Sequence, residues 1–107
     1  MAAIDISRSE AGHARREQRF PVDLAAIVRG GAADLPVRLK DLSRHGALGH
    51  CLCPPPALSR VTLVRGELQI EARVAWAGRG RFGLEFAKPI RATQLLVQLS
   101  LNRASPA

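Results

Sequence analysis

Hydrophobic and polar residues alternate along most of this chain, and a period of two is typical of β-strands with one buried face. The clearest run spans residues 68–76, where Gln69, Glu71 and Arg73 occupy the polar side. The face predicted to point inward carries Leu68, Ile70, Ala72, Val74 and Trp76. This alternation makes core packing the favoured interpretation for Trp76.

Five other segments predict short strands, and turn-forming residues separate them. The first begins at Val22 and ends at Gly30-Gly31. The second covers residues 35–42, and one of its faces is predicted to carry Leu35, Val37, Leu39 and Asp41, with Leu42 on the other. The remaining strands are predicted at 47–52, 61–64 and 81–86. Together these segments predict an all-β fold, a six-stranded antiparallel barrel that is closed or nearly so.

The two ends of the chain depart from this pattern. Residues 1–14 are small and polar without periodicity, and we expect a mobile N-terminal arm there. Residues 89–103 fit either a last strand or a helix, and Pro89 favours a C-terminal helix because proline suits a first helical turn. The stripe expected to be buried on that helix consists of Ile90, Thr93, Leu96 or Val97, and Leu101. The predicted units are thus an arm at 1–14, a domain at 15–103 and a tail at 104–107.

Length and composition exclude several classes of protein. With 107 residues, of which 47% are hydrophobic, the chain is long enough for one domain with a real core, so wholesale disorder is excluded. No apolar run approaches the roughly 18 residues of a membrane span. Because acids occur early and no apolar stretch precedes them, we expect no secretory signal and a cytoplasmic location.

The charge is strongly positive, +7, and most of it comes from arginine. The planar guanidinium fork suits phosphate oxygens and the acceptor edge of guanine better than an ammonium does. Composition alone therefore indicates a phosphate or nucleotide partner without specifying which.

Two short motifs make this indication more specific. Arg15-x-x-x-Arg19 lies where the arm enters the barrel, and Asp41-x-Ser43-x-x-Gly46 follows the second strand. Each alone is weak, because paired arginines are common on solvated faces and Asp, Ser and Gly are ordinary turn residues.

In this order and spacing, however, the two motifs resemble the PilZ domain, a bacterial receptor module for cyclic di-GMP. The closing strands are similar to those of the family as well, with Val74-Ala75-Trp76 followed by Phe82-Gly83-Leu84-Glu85-Phe86. The resemblance covers the chain from about Arg15 to Leu101.

The resemblance implies a second-messenger receptor whose ligand is cyclic di-GMP. Arg15 and Arg19 would each present paired donors to guanine O6 and N7 or to a phosphate, and Asp41 would accept from N1–H and N2–H₂. Ser43 would donate its hydroxyl to a phosphate oxygen. Gly46 would allow close backbone approach or a positive φ.

Two further side chains are open in this interpretation. Arg16 would add a third arginine contact or face water, and Trp76 is a secondary candidate for stacking on a guanine. Ala14 is small, which in the family leaves room for an intercalated ligand dimer, and His45 replaces a residue that is often glycine. The implied mechanism is ordering of the arm over the ligand, which would change affinity for an unidentified downstream protein.

Catalysis and metal binding are not expected. Cys51 and Cys53 lie near His45 and His50, but no second ligand pair with zinc-like spacing follows, so buried structural cysteines are favoured. No nucleophile–base arrangement or phosphate-binding glycine loop is evident, and no cofactor is predicted.

Two alternatives remain open at this point. One is a PilZ-like protein adaptor that does not bind nucleotide. The other is a small basic barrel that binds single-stranded nucleic acid, which is disfavoured because such barrels display aromatic platforms and this chain has three Phe, one Trp and no Tyr.

Overall fold

A computed structural model describes residues 18–31 and 33–104 of the chain. The arm predicted at 1–14 lies outside the described residues, as do Arg15, Arg16 and the end of the predicted tail.

Six strands and one helix make up the described part of the chain. The strands are β1 (Phe20–Arg29), β2 (Leu35–Leu42), β3 (Gly46–His50), β4 (Arg60–Arg65), β5 (Leu68–Gly78) and β6 (Arg81–Phe86), and the helix is α1 (Ala92–Ala104). All neighbouring strands are antiparallel, and they close into a barrel in the order β1-β2-β3-β6-β5-β4. The predicted six-stranded antiparallel barrel with a C-terminal helix is confirmed.

The barrel closes because the inward positions of every strand are apolar. Alternate residues of β1 from Val22 to Val28 are buried, and Phe82 of β6 has no exposed surface. Phe82 fills the space beside Gly49 of β3, where a β-carbon would collide with the phenyl ring. The glycine thus lets β3 pass close to the largest wholly buried side chain of the core.

A bulge in β2 corrects the predicted alternation at its end. The register shifts between Leu39 and Asp41, so Lys40 is an extra residue opposite β3. As a result Leu42, predicted to point outward, is buried at 2% exposure, while Asp41 stays at the surface. A strict period of two could not place either residue correctly.

A second bulge corrects the placement of Trp76. In the pairing of β5 with β6, the register shifts between Val74 and Trp76. Val74 is wholly buried, whereas Trp76 is 47% exposed. The core-packing interpretation of Trp76 is therefore wrong, because the extra residue turns its side chain away from the core.

The C-terminal segment is helical as predicted, but its buried face is not the predicted stripe. Ile90, before the helix, is buried as predicted, but Leu95 is the helix residue that packs against the core. The other members of the predicted stripe are exposed: Thr93, Leu96, Val97 and Leu101. The helix is apolar on both faces, so periodicity could not select the buried one. No helix in the described part of the chain is long and apolar enough to cross a membrane.

The segment after β3 corrects the expectation for the cysteines. β3 ends at His50, earlier than the predicted residue 52. Cys51 is half-buried, and burial raises the pKa of its thiol, but Cys53 is exposed. The two residues are therefore not a pair of buried structural cysteines.

Candidate functional site

A cavity of about 770 Å³ opens on the barrel surface over β3, β5 and β6. Its volume falls within the range of ordinary ligand pockets. Its lining includes Arg19, Asp41, Gly46, Trp76 and Glu85. Four of the residues singled out from the sequence, Arg19, Asp41, Gly46 and Trp76, are thus brought together although they are far apart in the chain.

Strand pairing places two of these residues at opposite ends of one row. Asp41 of β2 pairs with Leu48 of β3, Leu48 pairs with Gly83 of β6, and Gly83 pairs with Trp76 of β5. Adjacent strands lie about 4.8 Å apart, so the three steps from Asp41 to Trp76 span about 14 Å along the sheet. The row has the Asp41 carboxylate at one end and the Trp76 ring at the other. Leu48 and Gly83 lie between them and form an apolar surface, which we call the cavity floor.

Arg19 and Asp41 form an ion pair at the carboxylate end of the row. Arg19 Nη1 donates to Asp41 Oδ1 at 2.9 Å, and the two side chains are 47% and 26% exposed. Pairing of Pro21 with Asp41 brings the start of β1 to this point, and the bulge of β2 keeps the carboxylate at the surface. The first motif and the second are therefore joined by a direct hydrogen bond.

Ser43 lies beneath the site instead of lining it. It is wholly buried, and its Oγ accepts from the backbone N–H groups of His45 at 3.1 Å and Gly46 at 3.0 Å. The same hydroxyl donates to the Gly46 carbonyl at 3.3 Å. The hydroxyl is thus buried and hydrogen-bonded within its own turn, and its expected donation to a phosphate stays a prediction. Its role here is to hold the turn that presents residues 45 and 46.

The turn is also anchored from the opposite side. Phe86 N–H donates to the His45 carbonyl at 2.8 Å, and Ile90 N–H donates to the Arg44 carbonyl at 2.8 Å. The Arg44 guanidinium donates through Nε to the Ile90 carbonyl at 2.8 Å. Three contacts therefore tie this turn to the end of β6 and to the segment after it, so the motif residues sit on a rigid support.

Gly46 is required for close strand approach. A β-carbon at this position would collide with the Leu84 carbonyl oxygen of β6. Among the described glycines, positive φ is found at Gly66 and Gly80, so Gly46 serves the close approach of β3 to β6 here. The expected close approach of its backbone to a ligand stays a prediction.

Trp76 lies against a glycine of the neighbouring strand. A β-carbon on Gly83 would collide with Nε1 of the indole and come within 2.8 Å of Cε2. The ring therefore lies across Gly83, and its exposed part contributes to the cavity.

Three polar residues of the cavity were not identified as candidates from the sequence. Arg73 Nη2 donates to Glu85 Oε1 at 2.8 Å, and the residues face each other across β5 and β6. His45 also lines the cavity. Arg73 and Glu85 lie beside the motif residue Gly46 only once the strands are paired, which no spacing along the chain reveals. His45 lies within the second motif, next to Gly46 in the chain.

Metal ligands do not gather in the part of the chain that the structure describes, since residues 18–31 and 33–104 contain no group of three His, Cys, Asp or Glu suited to a metal ion. The polar chemistry of the cavity is that of arginine and carboxylate side chains, which suits a ligand with both anionic and hydrogen-bond-donor groups.

Comparisons with known proteins identify a family and a fold for this chain. The family model described as PilZ domain matches residues 13–102. A crystal structure of the PilZ domain of CeSA from a cellulose-synthesizing bacterium is similar with a TM-score of 0.56 and 22% identity, covering 81% of this chain and 96% of that one.

A second similar structure is the Borreliella burgdorferi PlzA protein in complex with c-di-GMP. The TM-score is 0.65 at 17% identity, over 91% of this chain and 45% of that one. This chain thus spans under half of that larger protein. No curated protein matches the chain significantly.

Proposed function

This chain belongs to the PilZ domain family, and from that premise we propose that it is a receptor that binds cyclic di-GMP in the cavity between Asp41 and Trp76. PilZ domains are regulatory ligand-binding domains, and one structurally similar protein is described in complex with this nucleotide. The main support for this proposal is that Arg19, Asp41, Gly46 and Trp76 all line one cavity.

The chemistry of the two ends matches the two kinds of group in the ligand. Arg19 offers paired donors to a phosphate or to guanine O6 and N7, and Asp41 accepts from the N1–H and N2–H₂ groups of guanine. Trp76 offers a ring on which a base can stack. A cyclic dinucleotide carries both guanines and phosphates, so it can satisfy the two ends together.

Arg15 and Arg16 join the proposed site from the segment before β1. The family model begins at residue 13 and so includes both. We assign Arg15 the same role as Arg19, with Arg16 as a third cationic group, and the ligand as an intercalated dimer. Ser43 contributes indirectly, because its hydroxyl fixes the backbone of His45 and Gly46.

Signalling is proposed to follow from ordering of residues 1–14 over the bound ligand in the cytoplasm. A ligand shifts a conformational equilibrium only through its differential affinity for the two states. Arg15 and Arg16 would supply that difference in affinity, because in this proposal they contact the ligand only when residues 1–14 are closed over it. The altered surface would then bind a downstream protein.

Titration calorimetry of the whole chain with cyclic di-GMP tests the binding step. We expect saturable binding by the natural sequence and a loss of about tenfold or more in Arg19→Ala and Asp41→Ala, since each bidentate base contact is worth about 1–3 kcal/mol. Arg29→Ala is the matched control, because Arg29 forms a comparable exposed pair with Asp34 outside the cavity lining. Absence of saturable heat with the natural sequence would refute the proposal.

A further inference from the structure

The ion pair between Arg73 and Glu85 lies on the same cavity as the pair between Arg19 and Asp41. The Nη2–Oε1 distance is 2.8 Å, and the side chains are 54% and 60% exposed. Both residues line the cavity, one from β5 and one from β6. The cavity therefore holds two arginine–carboxylate pairs of the same chemical kind.

Register fixes where the second pair lies relative to the first. Gly46 of β3 pairs with Glu85, and Glu85 pairs with Arg73. This row lies two residues along β3 and β6 from the row that contains Leu48 and Gly83. Rows two residues apart point to the same face and lie about 6.6 Å from each other. Arg73 and Glu85 thus stand one row away from the floor on which a base would stack.

From this geometry we infer that Arg73 and Glu85 form a second recognition pair, which reads the guanine or phosphate of cyclic di-GMP nearer to Trp76. The inference rests on the proposed function and assigns two binding residues that the motifs do not contain. Glu85 accepts from guanine N1–H and N2–H₂, and Arg73 donates to guanine O6 and N7 or to a phosphate oxygen.

Arg73 and Glu85 can give up their contact with each other for contacts with a ligand, which makes the pair suitable for binding. The Arg73–Glu85 pair is more than half exposed on both sides, so solvent screens it and little is lost when it opens. A ligand that carries both donors and acceptors replaces both halves at once, so neither charge is left without a partner. Cyclic di-AMP lacks the adjacent N1–H and N2–H₂ donors and carries a single amino donor, N6–H₂, where guanine has O6, so Glu85 would lose the paired contact that guanine offers.

The test compares affinities of four variants of the whole chain for cyclic di-GMP and cyclic di-AMP by titration calorimetry. We expect Arg73→Ala to weaken binding of cyclic di-GMP by about tenfold. Arg73→Lys should recover only part of the lost affinity, because lysine lacks the planar guanidinium fork. We expect Glu85→Gln to reduce the preference for cyclic di-GMP over cyclic di-AMP by about tenfold. Arg29→Ala, which breaks a pair of similar exposure elsewhere on the barrel, should change neither affinity.

The outcomes separate this inference from the proposed function. If the natural sequence binds cyclic di-GMP and both the Arg73 and Glu85 variants bind within about twofold of it, the second recognition pair is refuted while the receptor function stands. If the natural sequence does not bind cyclic di-GMP, the proposed function fails and this inference fails with it. Unchanged thermal melting of the variants excludes loss of fold as the cause of weaker binding.

Discussion

The indole ring of Trp76 occupies the space that a β-carbon on Gly83 would need. The two residues are direct partners across β5 and β6, just after the bulge that turns the tryptophan away from the core. Gly83 therefore fixes the height of the ring above the sheet, and any side chain there would lift the ring towards solvent. A residue without a side chain thus determines the shape of the cavity floor.

Gly83→Ala should weaken cyclic di-GMP binding while leaving the barrel folded. The added methyl meets a partly exposed side chain that can move, so the indole should tilt away at little cost in stability. Loss of an aligned stacking surface should cost about 1–3 kcal/mol of binding free energy. Titration calorimetry gives the affinity, and the fluorescence of the single tryptophan reports the change in its surroundings.

Gly78→Ala is the matched control for that experiment. Gly78 lies on β5, the strand of Trp76, and a β-carbon there would meet no atom within 4 Å. Its affinity and fluorescence should match those of the natural sequence. Equal affinity of the Gly83 and Gly78 variants would show that the position of the ring does not matter for binding.

Gly46→Ala should instead destabilise the barrel itself. Here the β-carbon would collide with the backbone carbonyl oxygen of Leu84, which cannot rotate away as a side chain does. Separating β3 from β6 to relieve the contact should cost about 1–3 kcal/mol of unfolding free energy. Urea denaturation measures the loss, and Gly31→Ala, which meets no atom within 4 Å, should lie close to the natural sequence. A Gly46 variant as stable as the Gly31 variant would contradict the close approach.

Most of the fold could be predicted from the sequence because alternation and turn residues are local signals. The strands were predicted within a few residues of their observed ends, but the strand order, in which β3 pairs with β6 and β1 with β4, was not predicted. The departures occur where one residue is inserted. Lys40 and Ala75 each break a period of two, and everything beyond them on that strand exchanges faces.

These same insertions shape the candidate site. The bulge near Lys40 leaves Asp41 at the surface beside Arg19, and the bulge near Ala75 exposes Trp76. The resemblance to the PilZ domain implied that Arg19 and Asp41 belong to one site, but not that Arg73 and Glu85 share their cavity. That pairing depends on strand register, which a single sequence does not specify.

Asp23 should make the barrel sensitive to acid. Arg38 donates to its carboxylate at 2.9 Å and Lys40 at 3.3 Å, and these hydrogen bonds lower the pKa of Asp23 below its ordinary value of 3.8. A carboxyl whose folded pKa is lowered stabilises the fold above its unfolded pKa, and that contribution is lost as pH falls through the folded value. Asp23→Asn should therefore lower the free energy of unfolding at neutral pH. On acidification the variant should lose less unfolding free energy than the natural sequence does. Urea midpoints measured from neutral pH to below pH 3.8 check this, and parallel losses in both proteins would contradict it.

Ser43→Ala should act through stability, because the hydroxyl is buried and bonded within its own turn. Removing it leaves the N–H groups of His45 and Gly46 without that acceptor, which should cost about 1–3 kcal/mol of unfolding free energy. Ser59→Ala is the control, since its hydroxyl makes an exposed bond to the Pro56 carbonyl and should cost less. Urea denaturation without ligand and calorimetry with cyclic di-GMP should show the Ser43 variant less stable, with weakened binding as the turn loosens. A Ser43 variant with natural stability but no binding would instead assign the hydroxyl a direct contact with the ligand, because only such a contact could be lost without loosening the turn.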